Sequence, residues 1–123
     1  WKGLPGQIID AWVDEKFTFV VSLPIFEEYR EVLHRFDTRF KTSLAPIWLS
    51  IIGRKGTMVQ TPILRRQAMS RDPKDEKFID CALYGKAEYL VTSDNDLLVL
   101  DDLVQFSIVK PRTFADKIKN RRG

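Results

Sequence analysis

Short β-rich runs at Phe17–Val21, Thr57–Gln60, Tyr89–Thr92 and Phe106–Val109 never adjoin; a segment of helical spacing separates each from the next. Antiparallel neighbours can be joined by a two-residue turn, whereas strands divided by helices pair in parallel through crossovers. The expected fold is therefore three-layer α/β/α, with a mainly parallel sheet and helices on both faces. Helices are expected over Gly6–Lys16, Pro24–Phe36, Thr42–Ile52, Asp75–Lys86, Asn95–Leu100 and Thr113–Asn120, with Thr61–Arg71 as a loop or short helix. Ser22 and Pro24 suit the start of the second helix.

No repeat or linker interrupts the 123 residues, of which 44% are hydrophobic, so residues 1–123 are expected to form one domain. No apolar run approaches the ~20 residues that span a bilayer, so no membrane is expected as a partner. Cys81 is the sole cysteine, which excludes an intrachain disulfide or zinc cluster and makes a cytoplasmic location the default. The net charge of +3 leans only weakly towards an anionic partner.

Between Arg71 and Leu100 lie five aspartates, Asp72, Asp75, Asp80, Asp94 and Asp96. Asp94 and Asp96 follow the run Tyr89-Leu90-Val91, where a strand would end and a helix begin, the usual place of ligand sites in open α/β sheets. At about 100° per residue, Asp75 shares the apolar face of Phe78, Ile79, Ala82 and Leu83, and Asp80 points roughly 140° away. Asp75 thus reads either as part of a helix cap with Asp72-Pro73 or as a ligand. Asp94 has the same two readings, helix cap or member of a carboxylate group. In the second helix, Ile25, Phe26, Tyr29, Val32, Leu33 and Phe36 form the apolar face. Glu27 and Glu31 lie opposite it, and Glu28 lies on the boundary, within reach of the sheet rim. Carboxylates gathered at one edge repel unless a cation joins them, and Mg²⁺ or Mn²⁺ prefers such oxygen ligands. A phosphotransfer Asp-x-Asp motif is a weaker alternative for Asp94 and Asp96, because Leu97-Leu98 fits its surroundings poorly.

These residues resemble those of PIN-domain nucleases, in particular the toxin members of toxin–antitoxin pairs. The resemblance rests on Ser22 six residues before Glu28, on Asp72-Pro73-Lys74-Asp75 followed by Ala82, and on Val91-Thr92-Ser93-Asp94-Asn95-Asp96-Leu97-Leu98. The ending Val109-Lys110-Pro111-Arg112-Thr113-Phe114 is similar to the family's last strand and helix. The resemblance implies that Glu28, Asp75 and Asp94 are catalytic metal ligands, with Asp96 as an auxiliary one. It implies supporting roles for Ser22, Thr92 and Ser93, and Mg²⁺ or Mn²⁺ as cofactor. Arg65, Arg66 and Arg71 are then candidates for holding single-stranded or structured RNA, and an antitoxin protein or a second copy becomes an expected partner.

The resembling fold orders its strands 3-2-1-4-5 and carries its first acidic residue at the end of strand 1. Neither that strand nor that residue has a counterpart here, and Trp1-Lys2-Gly3-Leu4-Pro5 corresponds to a loop inside the family's first helical region. The expectation is a PIN-like domain truncated at its N-terminus, impaired as a ribonuclease in this form and extended upstream in the natural protein. The alternative is a non-catalytic PIN-like module that binds an antitoxin or RNA.

Overall fold

A computed structural model describes residues 4–62 and 66–119. In chain order the elements are α1 (Leu4–Val13), β1 (Val20–Ser22), α2 (Leu23–Phe40), α3 (Ala45–Lys55), β2 (Thr57–Val59), α4 (Glu76–Tyr84), β3 (Tyr89–Val91), α5 (Asn95–Leu98), β4 (Ser107–Val109) and α6 (Pro111–Lys119). Every expected helix and strand is present, with shifted ends. Leu4 and Pro5 belong to the first turn of α1 rather than to a loop. The second helix runs four residues beyond Phe36 and ends at Lys41, whose left-handed backbone (φ 53°, ψ 47°) terminates it.

The strands pair in parallel as expected, Val20–Ser22 with Thr57–Val59 and Tyr89–Val91 with Ser107–Val109. They form two separate two-stranded ladders, β1-β2 and β3-β4. The expected order 3-2-1-4-5 places these two pairs on either side of its first strand, and no strand pairs with both ladders among the described residues. Helix α4 packs on both β1 and β3, while α1 packs with α6, and α2 with α3 and α4.

The core is divided in the same way. One cluster joins Ile79, Ala82, Leu97, Leu100, Phe106 and Ile108; another joins Ala11, Phe114 and Ile118; a third joins Val21, Ile25 and Cys81. The expected apolar face of α2 is correct in direction but only partly covered: Ile25 is buried, whereas Val32 and Phe36 are 46% and 43% exposed. On α4 the buried set is Ile79, Cys81 and Ala82, with Leu83 turned outward. That small rotation of the helix carries Asp75 and Glu76 inward together.

Two aspartates fix loops at these edges. Asp101 accepts a 2.7 Å hydrogen bond from the Ile108 amide and so anchors β4. Asp37 accepts from the Thr42 hydroxyl at 2.6 Å and from the Leu44 and Ala45 amides at 3.0 and 2.8 Å, joining the end of α2 to the start of α3. The Thr42 bond, helped by the two amides, holds the Asp37 carboxyl below its ordinary range. A depressed carboxylate contributes stability above its unfolded value and loses it as pH falls through the folded one. Melts of the natural sequence and of Asp37→Asn should therefore differ at neutral pH and converge on acidification below about pH 4. A constant difference across that range would show that Asp37 does not act through its charge.

Candidate metal centre

The site begins where β3 ends. Thr92 leaves the strand and its hydroxyl accepts from the Asp94 amide at 3.0 Å, which turns the chain. Asp94 then caps α5, its carboxylate accepting from the Asp96 amide at 2.9 Å. The capping reading of Asp94 is thus correct. It does not exclude the other reading, because one carboxylate has more acceptor sites than a single amide uses.

Across from this turn stands Asp75. Asp72 caps the single 3-10 turn Pro73–Asp75 that leads into α4, accepting from the Lys74 amide at 2.9 Å, whereas Asp75 holds the cap position of α4 itself and makes no side-chain capping bond. Asp75 is 8% exposed, and its carboxylate accepts from the Ser70 hydroxyl at 3.0 Å. Oxygens of Asp75, Asp94 and Asp96 all lie within 4.8 Å of one another. Burial pushes the Asp75 carboxyl up first; the Ser70 bond opposes it, and the charges of Asp94, Asp72 and Asp96 add to the rise. Two cations of this region are engaged elsewhere: Lys77 pairs with Glu28, and Arg66 with Glu76 and Asp80.

Oxygen ligands at 2.0–2.6 Å from one cation lie no more than about 4–5 Å apart, so this trio fits a hard divalent ion. An all-carboxylate donor set suits Mg²⁺, Mn²⁺ or Ca²⁺ and not zinc or copper. The chemistry open to such a group is metal-assisted hydrolysis of a phosphate ester.

The other expected site residues are placed as follows. Glu28 stands outside the trio; its carboxylate accepts from Lys77 Nζ at 2.7 Å, which ties α2 to α4. Ser22 occupies the cap position of α2 but makes no capping bond, and it is buried beside Cys81. Ser93 is exposed beside Asp94. Thr92 supports the Asp94 backbone and not a carboxylate. Arg71 is exposed, whereas Arg66 is drawn inward to Glu76 at 2.7 Å and Asp80 at 3.0 Å. Arg65 lies outside the described residues.

Glu76 is the residue that sequence reasoning missed. It is 7% exposed and accepts from the Met69 amide at 3.1 Å, the Ser70 amide at 2.7 Å and Arg66. It therefore fixes the segment that delivers Ser70 to Asp75. The only sequence signal was an acid at the start of a helix, which is common on solvated surfaces.

A family model described as PIN domain matches residues 2–96. The chain belongs to the PIN-domain family. Members of this family are generally nucleases that bind divalent metals, so membership supports a nuclease role and nucleic-acid binding, and Asp75, Asp94 and Asp96 form an acidic cluster that could hold such a metal. No curated protein and no solved structure matches the chain. Among the described residues, no helix is long and apolar enough to cross a membrane.

Proposed function

We propose that this PIN-domain protein is a metal-dependent ribonuclease of the toxin type, hydrolysing phosphodiesters in single-stranded or structured RNA with Mg²⁺ or Mn²⁺. The observation that carries the reading is the convergence of Asp75, Asp94 and Asp96 from two separate helix starts. When bound, the ion supplies a more acidic water and stabilises charge developing on the phosphoryl oxygens.

The chain's own residues prepare that chemistry. Asp75 and Asp94 hold the ion, with Asp96 as a further oxygen donor. Ser70 orients Asp75, and Thr92 fixes the backbone that presents Asp94. Glu28 serves as an additional ligand once it parts from Lys77, and Ser22 and Ser93 hydrogen-bond around the group. Arg71, four residues before Asp75, and Arg65 hold the RNA backbone, which makes binding salt-dependent. The protein acts in the cytoplasm. Phe36, Phe40 and Ile47, exposed on α2 and α3, offer an apolar surface to an antitoxin or a second copy.

The test is incubation of a labelled single-stranded RNA with the protein in Mn²⁺ and in EDTA. Weak cleavage confined to Mn²⁺, at a rate that falls as salt rises, is expected of this impaired form. Cleavage that persists in EDTA would overturn the metal reading. RNA retention without cleavage, with Mn²⁺ bound, would replace it with the non-catalytic module.

A further inference from the structure

The parallel ladder β3-β4 ends in two turns that lie side by side. Val91 is the register partner of Val109, and the Thr92 amide donates to the Val109 carbonyl at 2.9 Å. Beyond these positions one strand runs into Thr92-Ser93-Asp94 and the other into Lys110-Pro111-Arg112. Neighbouring strands lie about 4.8 Å apart, so the register brings Lys110 beside the turn that carries Asp94. Both segments leave the sheet at the same, C-terminal edge, where α5 starts after Asp94 and α6 starts at Pro111. Helix α5 also packs on β4.

Lys110 and Arg112 are exposed at this edge, and neither forms an ion pair among the described residues. Acidic neighbours do not neutralise them. Asp94 and Asp96 belong to the trio, and Asp101 bonds the Ile108 amide. Asp116, four residues after Arg112 and at pairing distance on a helix, makes no ion pair with it. The later cations of α6 are placed differently. Lys117 lies over the Tyr89 ring, 5.9 Å from its centroid, and Tyr89 is the first residue of β3, at the end remote from Asp94. Lys117 and Lys119 stand roughly 7–11 Å along the helix axis from Arg112, about one Debye length at physiological salt. The helix is basic at both ends, and only its start adjoins the carboxylates.

We propose that Lys110 and Arg112 are a phosphate-contact edge of the nuclease site, holding an RNA backbone phosphate next to the one at the metal centre, on the β4 side. The inference rests on the nuclease reading above and adds the path of the RNA: across the C-terminal edge of the ladder, from Asp94 towards the start of α6. A polyanion is repelled by Asp75, Asp94 and Asp96, and unpaired cations one strand away offset that repulsion. Arginine donates in a fork that fits two phosphate oxygens, and lysine supplies a point charge on a flexible four-carbon stem. Neither contact reads a base, so this edge sets position and not sequence. Arg71 belongs to the segment before α4, so Lys110 and Arg112 are a second, separate hold on the same strand.

The test compares two double variants that remove the same charge. Binding of a labelled single-stranded oligouridine, in Mn²⁺ and before cleavage is measurable, is followed by anisotropy at rising KCl. Each phosphate contact to a single strand contributes about 0.7 to the slope of log affinity against log salt. Lys110→Gln with Arg112→Gln should therefore lower that slope by about 1.4 and weaken binding about tenfold. Lys117→Gln with Lys119→Gln should leave the slope nearly unchanged. Lys110→Arg with Arg112→Lys should keep most of it, and all these variants should melt with the natural sequence, because the side chains are exposed. Equal losses in the two charge-matched variants would reduce the effect to net charge and overturn the proposal. An unchanged slope in Lys110→Gln with Arg112→Gln, with RNA still bound, would remove this edge and leave the nuclease reading standing. Mn²⁺ binding by the natural sequence without any RNA binding would instead sink the nuclease reading, and this inference with it.

Discussion

Asp75→Asn and Asp94→Asn should each weaken Mn²⁺ binding about 100-fold, with cleavage of RNA falling at least as far. Substitution of groups that merely orient a metal ligand costs about 10–100-fold in affinity or activity, so loss of a ligand oxygen's charge belongs at or beyond the top of that range. Thr92→Val, which removes only the bond to the Asp94 amide, should cost about tenfold. Stability supplies a second readout of opposite sign. Asp75 is buried beside two other carboxylates and its charge is disfavoured there. In EDTA, Asp75→Asn relieves that repulsion and should melt higher than the natural sequence. With saturating Mn²⁺ the order should reverse, because only the natural sequence gains binding energy in full. Calorimetric titration and melts with and without metal check both halves. Unchanged Mn²⁺ affinity in either aspartate variant would remove that residue from the site.

Glu76→Ala is expected to be the most destabilising single change at the site, by about 3–5 kcal/mol, because it breaks a buried ion pair from one side. The Glu76 carboxylate lies 2.7 Å from Arg66 and accepts from two backbone amides. Burial raises its pKa, but the Ser70 amide, Arg66 and the Met69 amide outweigh that and hold it below its ordinary range. Its contribution is therefore present above the usual glutamate value and is lost as pH falls through the depressed one. Against a total stability of about 5–15 kcal/mol, a loss of this size should lower Tm by more than about 10 °C. Glu76→Gln keeps one acceptor and should fall less. The alanine variant should also bind Mn²⁺ more weakly, since freeing residues 66–70 releases Ser70 from Asp75. A Tm within about 2 °C of the natural sequence would show that Glu76 has no such role.

Sequence periodicity made the element types and the parallel pairing legible, because alternation of helical and β-rich runs leaves little else. It also separated Asp75 from Asp80: Asp75 joins the trio, and Asp80 turns to Arg66. Three features stayed out of reach for physical reasons. The Glu28–Lys77 pair joins residues 49 positions apart, and helical phase on α2 says nothing about which cation on α4 will meet it. Glu76 depends on the course of a loop without periodicity. The partial exposure of Val32 and Phe36 reflects the divided core and not the amphipathic pattern of α2, which is sound. Arg66 and Arg71 looked equivalent in sequence, and only the fold sends one inward.

Helix α4 packs against both ladders, which share no hydrogen-bonded strand pair among the described residues. Sub-global opening in proteins follows cooperative units, and here the strands themselves fall into two such units, with the nine-residue α4 packed on both. α4, the helix whose first residues sit at the carboxylates, is thus one route by which the two halves fold cooperatively. Anything that tightens that end, an ion included, would couple the two halves into one unfolding transition.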